Sequence, residues 1–288
     1  MTDLLRAGAQ FAGYVIRMPL GEGGSSEVYL ADDPVRGRPV ALKILNRDAT
    51  VSAAARSRFR NEYAVAALLR HPNVITVFDH GQLDGRPWLT CEYVPGGTAV
   101  ALVPDRHAEM DPVRVLPLLT GIAAGLDYVH GREVVHLDVK PANMLVGAHN
   151  SGVLTDFGIA RRSADRRHDG RVMFGSIPYA APEVLRGGPP GPAADQYSLA
   201  CAIVEFLTGH PPFPLPDRLA VMEAQLRRTP PDVSGRRPWI PHAVDSILAK
   251  CLAKEPGARY NSCSEPVRLI ARVLRDIEPP APRSRWRR

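Results

Sequence analysis

The chain changes character once, near Pro95-Gly96-Gly97, and that change constrains the fold more than any other feature of the sequence. Before it, short runs of β-forming residues are interrupted by one helical segment. After it, helical periodicity dominates, and the first such segment opens with Asp111-Pro112, a typical helix start, and extends to His130. We therefore predict a small sheet with one helix, a hinge, and a mainly helical second part.

The predicted elements have definite bounds. The strand-like runs cover 14–20, 27–31, 39–45, 74–79 and 88–93, and the helical segment of the first part covers about 52–70. The later helical patterns cover about 111–130, with a kink expected at Pro117, then 194–208, 217–227, 241–252 and 264–276. Proline clusters at 187–192 and 211–216 are expected in loops.

Composition limits the class of protein. With 288 residues and 45% apolar content, the chain can bury an enclosed core, so disorder is not expected. Lysine and arginine total 36 against 30 acidic residues, a mild excess for which we predict no nucleic-acid partner. The cysteines lack Cys-x-x-Cys spacing, which predicts reduced thiols in the cytosol and no zinc site. Neither a signal peptide nor a membrane-spanning apolar run is expected.

A glycine-rich segment, Gly21-Glu22-Gly23-Gly24-Ser25-Ser26, lies between two of the strand-like runs. Its glycines allow a tight turn in which backbone N–H groups approach phosphate oxygens, although a flexible hairpin tip would have the same composition. The segment leads into a strand rather than a helix, so it matches neither a Walker A motif nor the dinucleotide-binding fingerprint.

Lys43 lies in a strand-like run that is apolar on both faces, so its charge needs a partner. In the helical segment that follows, Glu62 shares a face with Phe59, Ala66 and Leu69 at spacings of 3 and 4. We predict that Glu62 pairs with Lys43 inside the fold. The alternative is that both side chains extend to solvent.

The stretch His136-Leu137-Asp138-Val139-Lys140-Pro141-Ala142-Asn143 places an acid, a base and an amide between two apolar runs. Further along the chain, Asp156-Phe157-Gly158 follows another apolar run. Oxygen ligands from Asn143 and Asp156 suit a hard cation. Taken singly, the Asp-Phe-Gly tripeptide is also common in ordinary turns.

In this order the motifs resemble those of the eukaryotic-like serine/threonine protein kinases, especially the actinobacterial (mycobacterial Pkn-type) members, over about 11–277. Ala181-Pro182-Glu183 closes the predicted activation segment, while Asp195 and Arg259 match two further anchors of the family, with Arg259 suited to pair with Glu183.

The resemblance implies an α+β, bilobal protein kinase fold. Its N-lobe, at about 11–94, would hold an antiparallel sheet and one helix, and its C-lobe, at about 98–277, would be mainly helical. Residues 1–10 are then an N-terminal extension, and 278–288 form a Pro/Arg-rich tail.

The resemblance also implies ATP-dependent transfer of the γ-phosphate to serine or threonine hydroxyls of proteins in signal transduction, with autophosphorylation and with Mg²⁺, or alternatively Mn²⁺, as the metal. Asp138 is then the catalytic base, and Lys140 stabilises the γ-phosphate. Glu62 holds Lys43 against the α- and β-phosphates. Lys140 and the nearby Ser176 indicate a serine/threonine kinase rather than a tyrosine kinase.

The remaining roles follow from the same resemblance. The ATP-binding residues would be Leu20, Gly21, Gly23, Gly24, Val28, Ala41, Lys43, Cys91, Glu92, Val94, Asn143 and Asp156, of which Asn143 and Asp156 would bind the metal. Structural or regulatory roles would fall to His136, Leu137, Phe157, Gly158, Ser176, Glu183, Asp195 and Arg259. Cys91 would be a small gatekeeper, either an accessible thiol behind the adenine or an inert buried one.

Two residues depart from the family's pattern. Leu137 replaces the arginine of the His-Arg-Asp motif, which in the family normally binds a phosphate on the activation loop. Between Gly158 and Gly175 the sequence has one hydroxyl residue, Ser163, and five arginines, which suit either attraction to acidic partners or a solvated loop. We therefore predict activity that does not require activation-loop phosphorylation. Ser26 replaces the third glycine of the loop and is expected to reduce its flexibility.

Two alternatives share much of this pattern: a pseudokinase that binds nucleotide or acts as a scaffold without chemistry, and a small-molecule phosphotransferase of the aminoglycoside-kinase type. The second of these should lack Ala181-Pro182-Glu183. The tail resembles the start of a juxtamembrane segment, so we expect a cytoplasmic domain. A transmembrane segment beyond residue 288 and a homodimer are further hypotheses.

Overall fold

The computed structural model describes residues 4–22, 25–105, 107–162 and 176–280 of the chain. The chain divides into two compact units: Met1–Pro95 together with Asp156–Gly158, and Gly96–Thr155 together with Ile159–Arg288. The boundary falls at the predicted hinge. The first unit, called the N-terminal unit below, is rich in strands, and the second, the C-terminal unit, is mainly helical, which confirms the predicted division.

An antiparallel six-stranded sheet makes up most of the described N-terminal unit. Its strands are β1 (Gln10–Phe11), β2 (Tyr14–Glu22), β3 (Ser26–Asp33), β4 (Arg38–Leu45), β5 (Val77–Leu83) and β6 (Arg86–Glu92). They lie in the order β1-β2-β3-β4-β6-β5. Strand β4 therefore has hydrogen-bonded neighbours on both sides, which fixes the position of Lys43 in the middle of the sheet.

Both faces of the sheet are covered. On one face, Leu42 and Ile44 belong to a buried cluster with Tyr29 and Trp88, and Leu5 from the segment before β1 packs against it. On the other face, a smaller cluster contains Leu45, Ala55, Phe59 and Leu89. The odd-numbered side of β4, which carries Lys43, is thus the side that the following helix covers.

Two short helices follow β4: α1 (Arg47–Thr50) and α2 (Ala53–Ala66). The Ser52 hydroxyl caps α2 by accepting the backbone N–H of Ala55. The helix ends at Ala66 rather than near residue 70, because the N–H groups of Leu68 and Leu69 bond to carbonyls only three residues back, which tightens the last turn. Its buried positions are Ala55, Phe59, Glu62 and Ala66.

The predicted bounds of all five strand-like runs differ from those of the structure by one to four residues at one or both ends. Because β2 runs to Glu22 and β3 starts at Ser26, Gly21 and Ser26 are strand residues, and Gly21 pairs with Val28. Fewer residues therefore separate the two strands than predicted, and Gly23 and Gly24 between them lie outside the described residues. Strand β5 begins at Val77 and not at residue 74.

Strand β5 also continues to Leu83, beyond the predicted end at residue 79. There Asp84 and Gly85, with φ of 49° and 75°, form a two-residue turn into β6. A pair of positive φ values is what a type I′ hairpin requires, and Asp-Gly is one of the pairs that favour it. The turn therefore sets the register of β5 against β6.

The described C-terminal unit contains helices α3 (Pro112–His130), α4 (Pro182–Leu185), α5 (Pro192–Thr208), α6 (Arg218–Arg227), α7 (Val233–Arg236), α8 (His242–Cys251) and α9 (Ser264–Leu274). Its short strands are β7 (Val134–Val135), β8 (Met144–Val146), β9 (Gly152–Leu154) and β10 (Arg161–Arg162). Strands β7 and β10 pair with each other, as do β8 and β9.

Helix α5 is buried over most of its length, and helix α3 runs unbroken through Pro117. Gly152, in β9, lies so close to α3 that a Cβ atom there would sit 2.2 Å from the Leu118 carbonyl oxygen. By length and composition α3 is apolar enough to cross a membrane, but half of it is buried within the protein. A buried core helix has the same length and composition, so this property is weak evidence for a membrane span.

Candidate active site

The N-terminal unit brings Lys43 and Glu62 together, as the sequence predicts. The Lys43 Nζ donates to both carboxylate oxygens of Glu62, at 2.8 and 2.7 Å, and also lies 3.7 Å from an oxygen of Asp156. Glu62 is 7% exposed. Burial makes an unpaired charge costly at this position, so the geometry favours a fixed ion pair over two side chains extended to solvent.

Burial and charge act in opposite directions on this pair. Burial alone would lower the pKa of the Lys43 ammonium, but the carboxylates of Glu62 and Asp156 outweigh it and hold that pKa above its ordinary value. Burial raises the pKa of Glu62, against the attraction of Lys43. Lys43 therefore keeps its positive charge over the whole physiological range.

Three of the predicted ATP-binding residues, Val28, Ala41 and Cys91, lie on the same face of the sheet as Lys43. Val28 lies opposite Lys43 across β3 and β4, and Cys91 lies opposite Ala41 across β4 and β6. Directly opposed residues of an antiparallel pair point to the same face. Leu20, which precedes the glycine turn, is 41% exposed.

Glu92 and Val94, just after Cys91 in the chain, were also predicted to contact ATP. The Glu92 N–H donates to the Thr76 carbonyl at 2.9 Å, and Val94 is 9% exposed. Burial raises the pKa of the Cys91 thiol to about 12. At neutral pH Cys91 is therefore a thiol and not a thiolate, which favours the inert alternative for this residue.

Asp156-Phe157-Gly158 forms part of the N-terminal unit. Phe157 is fully buried, whereas the Asp156 side chain is 40% exposed. Asp156 has a positive φ of 67°, and a Cβ atom at Gly158 would lie 3.2 Å from the Asp156 carboxylate. A glycine at 158 thus leaves room for the carboxylate to turn toward Lys43.

The C-terminal unit assembles the predicted catalytic loop around Asp138. Its oxygen Oδ2 accepts from Lys140 Nζ at 2.7 Å and from Asn143 Nδ2 at 2.9 Å, and Oδ1 accepts from the Ser176 N–H at 3.1 Å. Lys140 also donates to the Ser176 hydroxyl at 2.9 Å. Four of the predicted residues are therefore hydrogen-bonded within one cluster, with a carboxylate at its centre.

The side chain of Asn143 is held in one orientation by Asp138. Its amide nitrogen donates both to the Asp138 carbonyl, at 2.8 Å, and to the Asp138 carboxylate. The amide oxygen therefore points away from Asp138. An amide oxygen and a carboxylate such as that of Asp156 are each hard oxygen donors, the type that Mg²⁺ and Mn²⁺ prefer.

A buried carboxylate on α5 holds the backbone of the loop. Asp195, fully buried, accepts the N–H groups of His136 and Leu137 at 2.8 and 2.7 Å, and it also contacts His130 Nε2 at 2.7 Å. Burial opposes ionisation of Asp195, but the hydrogen bonds outweigh it and keep its pKa below the ordinary value. Leu137 has a φ of 68°, an unfavourable conformation for a branched side chain, and these bonds stabilise it.

His136 has a structural position. Its ring is fully buried, with Nδ1 accepting the Asp138 N–H at 3.2 Å and Nε2 3.0 Å from the Thr155 carbonyl. Because a carbonyl can only accept, the Nε2 atom carries the proton. His136 thus links the catalytic loop to the end of β9.

Glu183 and Arg259 form the predicted buried pair. Arg259 donates from its two terminal nitrogens to the two Glu183 oxygens, at 2.7 and 2.8 Å, and from Nε to the Ala253 carbonyl. The Arg259 side chain is completely buried. This two-fold contact ties α4 to the turn before α9.

Asp127, His130 and Cys263 lie close enough together to suggest a metal site. However, the Asp127 oxygens accept the N–H groups of Cys263 and Ser264, and His130 contacts Asp195. Burial raises the pKa of Cys263, so its thiol stays protonated. We interpret the cluster as the N-terminal anchor of α9.

A lysine on a central strand paired with a glutamate on the following helix, together with an aspartate in a loop that also contains lysine and asparagine, is typical of a phosphotransferase of the protein kinase fold. The chain belongs to the protein kinase family, because the family model described as "Protein kinase domain" matches residues 14–268. The match lies within the predicted domain, 11–277.

Named relatives agree with this assignment. The chain is 38% identical over 277 residues to the serine/threonine-protein kinase PknF of Mycobacterium tuberculosis, covering 94% of this chain and 58% of that one. It is 40% identical over 284 residues to PknJ of the same species, covering 95% and 47%. The chain thus spans about half the length of the curated relatives it matches.

A crystal structure confirms the fold. The kinase domain of M. tuberculosis PknI matches with a TM-score of 0.74 and 34% sequence identity, covering 94% of this chain and 100% of that one. The α+β, bilobal fold class, with an antiparallel sheet in the N-lobe and a helical C-lobe, is confirmed.

Proposed function

We propose that the chain transfers the γ-phosphate of ATP to serine and threonine hydroxyls of proteins. The observation that carries this proposal is the cluster around Asp138, which accepts hydrogen bonds from Lys140, Asn143 and the Ser176 N–H. A carboxylate held in this way can accept the proton of an incoming hydroxyl, a contribution worth about 10² to 10⁴ in rate.

The other residues have complementary roles in the proposal. Lys43, kept charged and fixed by Glu62, suits the α- and β-phosphates. Asn143 and Asp156 would hold Mg²⁺, which when bound neutralises charge on the phosphates. Lys140 would contact the γ-phosphate, and its bond to the Ser176 hydroxyl supports serine or threonine as the acceptor.

The test compares the wild-type chain with Asp138→Asn, using Mg-ATP and acceptor peptides that differ only in carrying serine, threonine or tyrosine. We expect transfer to serine and threonine that falls at least about 100-fold in the variant. Glu223→Gln, an exposed carboxylate on α6, is the matched control. Binding of ATP without transfer by the wild type would instead favour a pseudokinase, and transfer to small molecules alone would favour the other class of phosphotransferase.

We further propose that activity does not depend on phosphorylation of the activation loop. Support comes from Leu137, which has no guanidinium group to bind a phosphate and whose backbone N–H donates to Asp195, and from the sequence between Gly158 and Gly175, where Ser163 alone has a hydroxyl. Ser163 and the loop residues Arg166, Arg167 and Arg171 lie outside the described residues. Wild-type and Ser163→Ala chains, each treated with a phosphatase, should transfer phosphate at similar rates; loss of activity traced to this loop would contradict the proposal.

A further inference from the structure

Asn61, the residue before Glu62 on α2, makes a two-fold contact with the Asp-Phe-Gly segment. Its amide nitrogen donates to the carbonyl oxygen of Phe157 at 3.1 Å and to that of Gly158 at 3.2 Å. A carboxamide nitrogen has two N–H groups, so it can serve both acceptors at once. Because both partners are carbonyls, only the nitrogen of the amide can face them.

The surroundings of this contact are close-packed. Phe157 is fully buried, and a Cβ atom at Gly158 would meet the Arg58 carbonyl of α2 at 3.7 Å. The backbone of the segment therefore lies directly against the helix. Asn61 bonds to that backbone, and so it acts on the position of the segment rather than on a side chain.

The same helix and segment meet a second time at Lys43. The Lys43 Nζ lies 2.7 Å from Glu62 on α2 and 3.7 Å from Asp156 in the segment. Asn61 and Lys43 thus join α2 to the segment at two points. Displacing Phe157 and Gly158 would break the Asn61 contacts, and it would move Asp156 away from Lys43.

We propose that Asn61 is a positioning residue that couples α2 to Asp156-Phe157-Gly158, so that Glu62 and Asp156 reach Lys43 as one unit. The inference rests on the proposed kinase function, because it concerns how that site is held in its active arrangement. The coupling uses only unmodified residues. It therefore gives a physical basis for an active state that needs no phosphate on the activation loop.

The expected size of the coupling follows from the two hydrogen bonds. Each neutral hydrogen bond shifts an equilibrium by about 2.3- to 12-fold, so the pair shifts it by about 5- to 150-fold. Removing both donors should raise the ratio of the state in which Phe157 has left its buried site to the state in which it is buried by that factor.

The experiment uses Asn61→Leu, which is similar in size and has no donor, and Asn61→Gln, which keeps the amide. Arg60→Gln, at an exposed position on the same helix, is the matched control. The probe is a diaryl-urea inhibitor of the class that binds kinases only after the Asp-Phe-Gly phenylalanine has moved out. Its affinity, together with kcat and the KM for ATP, is measured for each chain.

We expect Asn61→Leu to bind the probe more tightly than the wild type and to lose kcat, with the gain in affinity multiplied by the loss in kcat equal to about 5- to 150-fold, because the displaced form gains the population that the active form loses. Asn61→Gln should recover part of both changes, and Arg60→Gln should resemble the wild type. If Asn61→Leu does not fold, Asn61→Ser, which is smaller and too short to reach the carbonyls, replaces it.

Wild-type probe affinity in Asn61→Leu would overturn the inference, and so would a loss of kcat without a gain in probe affinity, because a merely structural role would give that result. If no chain transfers phosphate, including the wild type, the proposed function fails. The probe measurement still decides the coupling in that case, because it needs no catalysis.

Discussion

The contact between Lys43 and Glu62 gives the sharpest prediction about catalysis. Glu62→Gln keeps the size of the side chain but removes the negative charge, so the Lys43 ammonium loses two charged contacts of 2.8 and 2.7 Å. Removing one partner of a buried ion pair costs about 3–5 kcal/mol. If that loss falls wholly on the transition state, phosphate transfer slows by about 10² to 10⁴.

The structure indicates that the decrease in the rate of phosphate transfer lies near the lower limit of this range. Asp156 lies 3.7 Å from the Lys43 Nζ and offers a second carboxylate once Glu62 is gone, and the glutamine retains one oxygen acceptor. We therefore expect kcat/KM for ATP to fall about 100-fold. A Lys43 that turns toward Asp156 would also compete with the metal for that carboxylate.

The assay measures initial rates of phosphate transfer as a function of ATP and Mg²⁺ concentration. Glu223→Gln makes the same chemical change at an exposed position on α6 and controls for it. Unfolding in urea shows whether Glu62→Gln is folded under assay conditions. A folded Glu62→Gln within about 3-fold of the wild type would refute the reasoning, since the ion pair would then contribute nothing to the transition state.

Three further predictions concern stability and reactivity. Arg259→Ala leaves the buried Glu183 carboxylate without its partner and should lower the free energy of unfolding by about 3–5 kcal/mol. As a control, Arg186→Ala removes an exposed ion pair and should change the free energy of unfolding by less than about 1 kcal/mol. Equal losses for the two variants in urea unfolding would contradict this prediction. The pKa of Asp195 is lower in the folded protein than in the unfolded chain. The ionised carboxylate therefore stabilises the fold at pH values above the unfolded-state pKa, and this stabilisation is lost as the pH falls through the folded-state pKa. The stability difference between wild type and Asp195→Asn should therefore shrink as the pH falls below about 4, and a difference independent of pH down to unfolding would argue against it. With a pKa of about 12, Cys91 should react with iodoacetamide at neutral pH far more slowly than a free cysteine, and fast labelling seen by mass spectrometry would show an activated thiol.

The sequence was sufficient to predict contacts within recognisable motifs. Lys43 and Glu62 could be paired because a lone charge on an apolar strand requires a partner, and helical spacing placed a carboxylate on the buried face. The two-part division followed from the change in periodicity at Pro95. Family motifs then indicated Glu183 and Arg259 as a pair.

Contacts between residues far apart in sequence and outside motifs were not predicted. Arg86 and Glu27 form a buried ion pair at 3.1 Å, to which the Tyr29 hydroxyl also donates. Nothing in the local pattern of either strand indicates this, because the pairing depends on the register of β3, β4 and β6. Asn61 was missed for a related reason: a single polar residue on a helix gives no signal of the backbone it will contact.

Strand ends were predicted less accurately than strand centres. Burial determines the centre of a strand, and burial is visible as an apolar pattern. The ends depend on the turn, and the turn at Asp84 and Gly85 extended β5 past its last apolar pair. Attention to that dipeptide as a hairpin signal would have placed the end of β5 correctly.

Asp195 holds the predicted catalytic loop by accepting hydrogen bonds from backbone N–H groups. Every residue type except proline has such a group. Substitutions at position 137 can therefore change what the side chain binds while the loop backbone keeps its position. In a kinase with this arrangement, the residue at this position can change during evolution without moving the loop that holds Asp138. If activity is independent of activation-loop phosphorylation, as proposed, leucine at this position would alter regulation while the neighbouring Asp138 keeps its place.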